Sequence, residues 1–315
     1  MKKFLFLIET QNKTTDAMTI WQTVKPFFEQ ENISYQIKNV IRLDQINQLL
    51  ENNSKDKIIV TIGSLNLLLQ SILILDTLKV KHSAQPISFI PTKETKSLAK
   101  SIGLAEDPSL AVKQIIAAFQ PVFVNLGQIE EMNHRGRWIF SHDFSLGLGA
   151  YAANVVKDTS LAGHLKPVPL KKSLNLYGRL TAIIDQEPFN VTLRLNRKYF
   201  FFKHVFAVKL SNQPSSADNP MDAADIPLQL EIITSLNFFT FILYEISRRL
   251  KLTPYLPFSH YFTDSQIQLT TNSLEFGEFD GQQLRNQFYD LMIKSFQYPF
   301  WFDPDNLSLA ESLWA

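Results

Sequence analysis

The 315-residue sequence predicts two domains. The first is a doubly wound parallel α/β domain over residues 1–125, and the second an antiparallel β-sandwich-like domain over 126–290. Residues 291–315 read as a C-terminal extension that packs back on the first domain. Three observations carry this reading. The chain is longer than one compact core usually serves. Its first 125 residues alternate strand-like and helix-like segments, the order of a parallel sheet. From Val122 onward strand patterns dominate, several with a two-residue apolar period such as Val191-Thr192-Leu193-Arg194-Leu195.

Taken in order, Phe4–Ile8 is a short apolar strand closed by Glu9. Two lysines before it imitate a signal peptide, but the run is too short for one. Asp16–Gln30 carries helical spacing through Met18, Trp21, Val24 and Phe28, and SYQIKNV alternates as a strand. LDQINQLLEN is a short helix with Asp44 near its start. KIIVTIG is a buried strand that turns at Gly63-Ser64 into the leucine-rich helix SLNLLLQSILILDTL. PISFIP is the next strand. KETKSLAKSIGL and DPSLAVKQIIAAF are helical, with Thr92 a candidate cap for the first; Asp107-Pro108 starts the second with an acidic cap and a proline at its first position.

The second region reads as strands over VFVNLGQI, RWIFSHDFSLG, LTAIIDQ, FNVTLRLN, YFFFKHVFAVKLSN, IPLQLEIIT, SQIQLTT and LEFGEFDGQQL, interrupted by helices near 147–158 and 235–249. SNQPSSADNPMDAAD, residues 211–225, is polar and turn-rich and reads as a surface loop.

Composition narrows the function classes. Hydrophobic residues make up 45%, and 31 basic residues stand against 30 acidic ones for a net charge of +1. That balance speaks against nucleic acid, which needs a basic field. The absence of cysteine excludes disulfides, thiolate zinc sites and cysteine nucleophiles, and suits a cytoplasmic protein. The longest late apolar stretch, NFFTFILYEI, is too short to span a bilayer. With SRRLKL it reads as a core helix with cations at its C-terminal end. A lipid-touching helix is the alternative, which leaves peripheral membrane contact open.

Candidate chemistry is sparse. The Gly63-Ser64 turn opens a helix, where free backbone N–H groups suit phosphate. It has a single glycine, and the bulky Val60, Thr61 and Ile62 before it are expected to fill such a seat. Lys93, Lys96 and Lys100 share a helical face, solvated or turned to phosphate. Asp280-Gly281 is a hairpin turn whose aspartate becomes a general base only if it faces a cleft. The six histidines show no metal-ligand spacing, and no metal site is assigned.

The order of these pieces resembles the diacylglycerol kinase-like lipid kinases, a group that includes sphingosine kinases and bacterial soluble lipid kinases. The stretches that carry the resemblance are KKFLFLIE, IIVTIGSLNLLLQSI, PISFIPTKETKSLAKSIGLAEDPSLAVKQI, VNLGQI, FSHDFSLGLGAYAANVV and FDGQQL. The resemblance implies an NAD-kinase/diacylglycerol-kinase-like fold that uses ATP and Mg²⁺. It places Gly63, Ser64, Asn66, Thr92 and Thr95 at nucleotide positions and makes Asp280 the candidate base. The departures are specific. The family's Asn-Pro-x-Ser-Gly-like turn reads Glu9-Thr10-Gln11-Asn12-Lys13, and its Gly-Gly-Asp-Gly-Thr reads Val60-Thr61-Ile62-Gly63-Ser64. Its Gly-Thr-x-Asn-Asp becomes Lys93-Glu94-Thr95-Lys96-Ser97, and its Asp-Gly-Glu becomes Asp280-Gly281-Gln282. In Ser145–Ala150, Gly149 replaces the usual acid. The expectation is a lipid-kinase-like protein with a degraded ATP site, a lipid- or ligand-binding or regulatory pseudoenzyme. An active divergent lipid kinase and a protein-interaction module, as a homodimer for instance, are the alternatives.

Overall fold

The computed structural model describes residues 2–10, 16–52, 56–78, 84–132, 136–158, 178–214, 216–217, 226–250 and 252–306. Residues 11–13 of the first-strand turn, residues 218–225 of the polar stretch, residues 307–315 of the extension, and His82, His134 and His164 lie outside them. The chain forms two compact units. One comprises Met1–Leu126, Gln213–Ile226 and Phe296–Ala315, the other Gly127–Asn212 and Pro227–Ser295.

The first unit is built from β1 (Lys3–Glu9), α1 (Ala17–Gln30), β2 (Ser34–Val40), α2 (Gln45–Glu51), β3 (Lys57–Ile62), α3 (Leu65–Leu78), β4 (Ile87–Phe89), α4 (Lys96–Ile102) and α5 (Pro108–Ala117). The strands are parallel in the order β4-β3-β1-β2. The inner strands are apolar on both faces because helices cover both. β2, at the edge, buries only Val40, so its alternation marks no core face. α1 buries Ala17, Trp21, Val24 and Phe28, while Met18, read as an inward position, is exposed. Trp21, Phe28, Phe6 and Tyr35 form one aromatic cluster with mostly edge-on contacts. Asp107 caps α5 as expected, accepting from the N–H groups of Ser109 and Leu110. Asp44 precedes α2 but pairs with Arg42 instead of capping. Near the end of the chain, Trp301 donates its indole N–H to the Ile115 carbonyl, and the Tyr298 hydroxyl donates to that of Gln85.

The remaining strands are β5 (Val122–Glu131), β6 (Arg137–Phe140), β7 (Asp143–Gly147), β8 (Phe189–Leu195), β9 (Lys198–Ser211), β10 (Ser216–Ala217), β11 (Leu228–Thr234), β12 (Ser259–Asp264), β13 (Gln266–Thr271), β14 (Glu275–Phe279), β15 (Gln282–Gln287) and β16 (Asp290–Phe300). β10 pairs with β5 inside the stretch read as a loop. In the second unit β14, β7, β9, β11 and β12 pair antiparallel in that order. β9 pairs on with β8, β8 with β13, and β13 with β16. Phe144, Leu146, Val208, Leu210, Leu230 and Ile232 enter one buried core, as the two-residue period requires.

Among the described residues this unit holds the α-helices α6 (Leu148–Asp158), α7 (residues 178–185) and α8 (Phe238–Arg249). α7 corrects the strand read over LTAIIDQ. Leu180 and Ile183 are three apart, which suits a helix face, and the Gln186 N–H closes an i→i−4 bond to Ala182. With Ala182 they pack beside Leu148, Ala207, Ile233, Phe241 and Tyr244 in a second core. α8 is core on one side, through Phe241 and Tyr244, and carries Arg248 and Arg249 in its last turn, whereas Phe238, Phe239, Ile242 and Leu243 are exposed.

The turn between β8 and β9 places Asn196 at φ 47° and Arg197 at φ 65°. Both central residues are left-handed, as a two-residue hairpin of this hand demands. Arginine tolerates that conformation poorly, so Arg197→Gly should raise stability by about 1 kcal/mol, read as a higher urea midpoint.

Candidate functional site

The turn from β3 into α3 is assembled by strand register. β1 and β3 run parallel with Ile8 opposite Ile62, so the next residues, Glu9 and Gly63, are neighbours. The Ser64 N–H donates to Glu9 Oε2 at 2.5 Å, and Ser64 Oγ accepts from the Leu67 N–H at 3.2 Å. A carboxylate and a hydroxyl therefore occupy donors at the positive end of α3. Gly63 is required by this closeness: a Cβ there would lie 2.6 Å from Glu9 Oε2 and 2.7 Å from Glu9 Cβ. Thr92 Oγ donates to the Gly63 carbonyl at 2.8 Å, and the Thr92 N–H donates to Thr95 Oγ at 2.9 Å. Thr92 thus ties β4 to the turn instead of capping α4 with its side chain.

Gly63, Ser64, Thr92 and Thr95 are gathered in one buried cluster. Asn66 lies in the first turn of α3, its Oδ1 buried without a partner among the described residues. The expectation that Val60, Thr61 and Ile62 fill the seat is corrected. All three are buried within β3, and the group at the helix start is Glu9, from the neighbouring strand. Lys93, Lys96 and Lys100 are exposed.

In the second unit Asp280 (φ 44°) and Gly281 (φ 79°) make the left-handed hairpin turn between β14 and β15. Asp280 Oδ2 accepts from the N–H and Oγ of Ser141, at 2.5 and 2.9 Å. Its Oδ1 accepts from the N–H groups of His142 and Asp143, at 2.9 and 3.1 Å. Four donors use the full accepting capacity of a carboxylate. They also explain why RWIFSHDFSLG is two strands: the N–H groups of residues 141–143 turn to Asp280, and the ladder breaks between β6 and β7.

Beside this turn lies a polar row. Glu278, Ser145, Lys209, Glu231 and Tyr261 stand directly opposite one another across β14, β7, β9, β11 and β12, hence on one face. The Tyr261 hydroxyl donates to Glu231, with Thr253 Oγ 2.6 Å away. Burial and that bond push the tyrosine up to about 12. Asp143, two residues along, accepts from Ser211 Oγ at 2.8 Å and lies 3.4 Å from Lys209 Nζ.

No family model matches the chain, and no curated protein matches its sequence. Solved structures do. A diacylglycerol kinase from Bacillus anthracis str. Sterne superposes with a TM-score of 0.63 at 15% identity, covering 96% of this chain and 97% of that one. Two further structures from the same organism give TM-scores of 0.64 and 0.62 at 15% and 14% identity, with the same coverage. This chain has the diacylglycerol kinase fold.

ATP and Mg²⁺, which the resemblance attaches to the diacylglycerol kinase fold, do not suit the residues present. Glu9 is an anion at the helix start where phosphate oxygens would seek N–H donors, and Ile62 occupies the acidic position of the signature. Burial raises the proton affinity of Glu275, and that of Glu278, on the polar row, is raised as well. Burial raises Glu278 above the ordinary carboxyl range, the negative charges of Asp143 and Asp280 raise it further, and Arg179 and the Gly281 N–H oppose the rise. A perturbed carboxyl among charged neighbours marks a candidate site.

Sequence reasoning passed over both Glu9 and Glu278. In the sequence Glu9 closes an apolar run and heads the altered family turn, and neither position shows what it contacts. Glu278 sits two residues before the Asp280 that was singled out, on the same strand face.

A raised folded value makes protonated Glu278 the form the fold prefers. Its contribution is full at acid pH and is lost as pH rises through the folded value. Glu278→Gln should therefore increase the melting temperature at pH 8 and leave it nearly unchanged at pH 4, read by thermal scans across that range.

Proposed function

We propose that this protein is a binding or regulatory member of the diacylglycerol kinase fold that does not transfer phosphate. The observation that carries the reading is the Glu9 carboxylate on the Ser64 N–H, an internal anion where a nucleotide phosphate would need an open helix start. Gly63 leaves no slack there, because Glu9 and Leu67 already crowd its open side. The engagement of Asp280 by four donors supports the same reading, since a hydroxyl proton would have to displace one of them. Titration calorimetry of the full chain with Mg-ATP tests it. No heat of binding is expected up to millimolar nucleotide. Micromolar binding with phosphate transfer to a lipid hydroxyl would overturn it.

Glu278 favours a second reading, an active divergent lipid kinase acting on a diacylglycerol-like hydroxyl. A half-buried carboxyl with raised proton affinity near the Asp143 charge suits acid–base work. That version requires label from ATP to appear in a lipid fraction and to disappear with Glu278→Gln.

A further inference from the structure

α8 is inverted. Its inward face holds Phe241 and Tyr244 together with Glu245 and Ser247, whereas its outward face is entirely apolar over two full turns. Phe238, Phe239, Ile242, Leu243, Ile246 and Leu250 follow the i, i+1, i+4, i+5, i+8, i+12 spacing of a single stripe, and Phe239 is 80% exposed. A contiguous exposed apolar stripe of this kind marks an interaction surface. The helix needs no partner in order to form. Asn237 Oδ1 accepts from the Thr240 N–H at 2.9 Å, and Thr240 Oγ accepts from the Asn237 N–H at 2.7 Å, a complete capping box.

The exposed charges of the helix segment itself have one sign. From Ser235 to Phe258 the only acidic residue is Glu245, and the only basic ones are Arg248, Arg249 and Lys251. Glu245 is buried and held by Arg179 at 2.6 Å and Arg248 at 3.0 Å. The outward side of the helix is therefore apolar with a cationic C-terminal end. A second copy meeting this face with the same face would bring cations and no acid to pair with them. No helix among the described residues is long and apolar enough to cross a membrane.

We infer that the outward face of α8 docks on an anionic lipid surface. The helix lies in the plane of the interface, its aromatic start in the acyl boundary and its arginines among the headgroups. Such helices sink about 5–10 Å and gain from both apolar burial and anionic lipid. The inference rests on the second unit alone and holds whether or not the protein transfers phosphate.

Flotation of the full chain with vesicles of phosphatidylglycerol and phosphatidylcholine in equal parts, against phosphatidylcholine alone, tests it. The wild type should float with the mixed vesicles and fall away as salt is raised. Phe239→Glu should weaken binding by roughly tenfold or more, and Arg249→Ala by about fivefold, the share of one cation near such a surface. Both side chains are exposed, so unchanged circular dichroism melts are expected and separate a lost surface from a lost fold. Absence of wild-type flotation, or equal flotation of Phe239→Glu, would overturn the inference. So would light scattering that shows a wild-type dimer converted to monomer by Phe239→Glu while neither floats.

Discussion

Asp280→Asn is expected to cost the fold about 3 kcal/mol, seen as a lower urea midpoint, whatever it does to activity. Asparagine tolerates the left-handed turn nearly as well as aspartate, so the backbone at φ 44° is not the issue. The loss comes from the second oxygen. Asp280 serves Ser141 through one oxygen and the His142 and Asp143 N–H groups through the other. An amide NH₂ in either place points a donor at donors and strands a pair of partly buried groups, and each stranded N–H costs about 1–3 kcal/mol. A catalytic base free to meet a substrate predicts the opposite: activity falls and the midpoint stays. An unchanged midpoint would therefore remove the structural role assigned to this carboxylate and restore it as a base.

How far the sequence discloses these features depends on how local they are. The alternation of the first 125 residues and the two-residue period of the later ones follow from short-range patterning, and the fold class comes with them. The Asp280-Gly281 hairpin is likewise local, because only a few residue pairs accept two left-handed positions. What Asp280 holds is not local: its four donors lie 137–139 residues earlier. Glu9 is the same case. As a strand ending it says nothing, and it becomes the occupant of the helix start only once β1 and β3 are in parallel register. α7 departs from the strand expectation because the β-branched pair Ile183-Ile184 suits a strand locally. α8 shows a further limit. Its sequence is apolar around most of its circumference, and the inward face shows only in tertiary contacts, where Phe241 and Tyr244 join a core and Glu245 pairs with Arg179, 66 positions away.

Glu9→Ala is the other large perturbation, and its diagnostic readout is an anion. Removing the carboxylate strips the acceptor from the Ser64 N–H at the positive end of α3, a charge-assisted bond whose loss should cost about 2 kcal/mol. The vacated position then offers free N–H groups and a helix dipole to any small anion. Inorganic phosphate should raise the melting temperature of Glu9→Ala and leave the wild type unmoved, because the wild type already carries its own anion there. Binding that acts only on the folded state stabilises it in proportion to ligand excess, so the shift should grow steadily with phosphate concentration. Equal shifts in both proteins would mean phosphate binds elsewhere. No shift in either would mean that Glu9 caps a helix which never was a phosphate seat. A shift confined to the variant would identify Glu9 as the side chain that closed it.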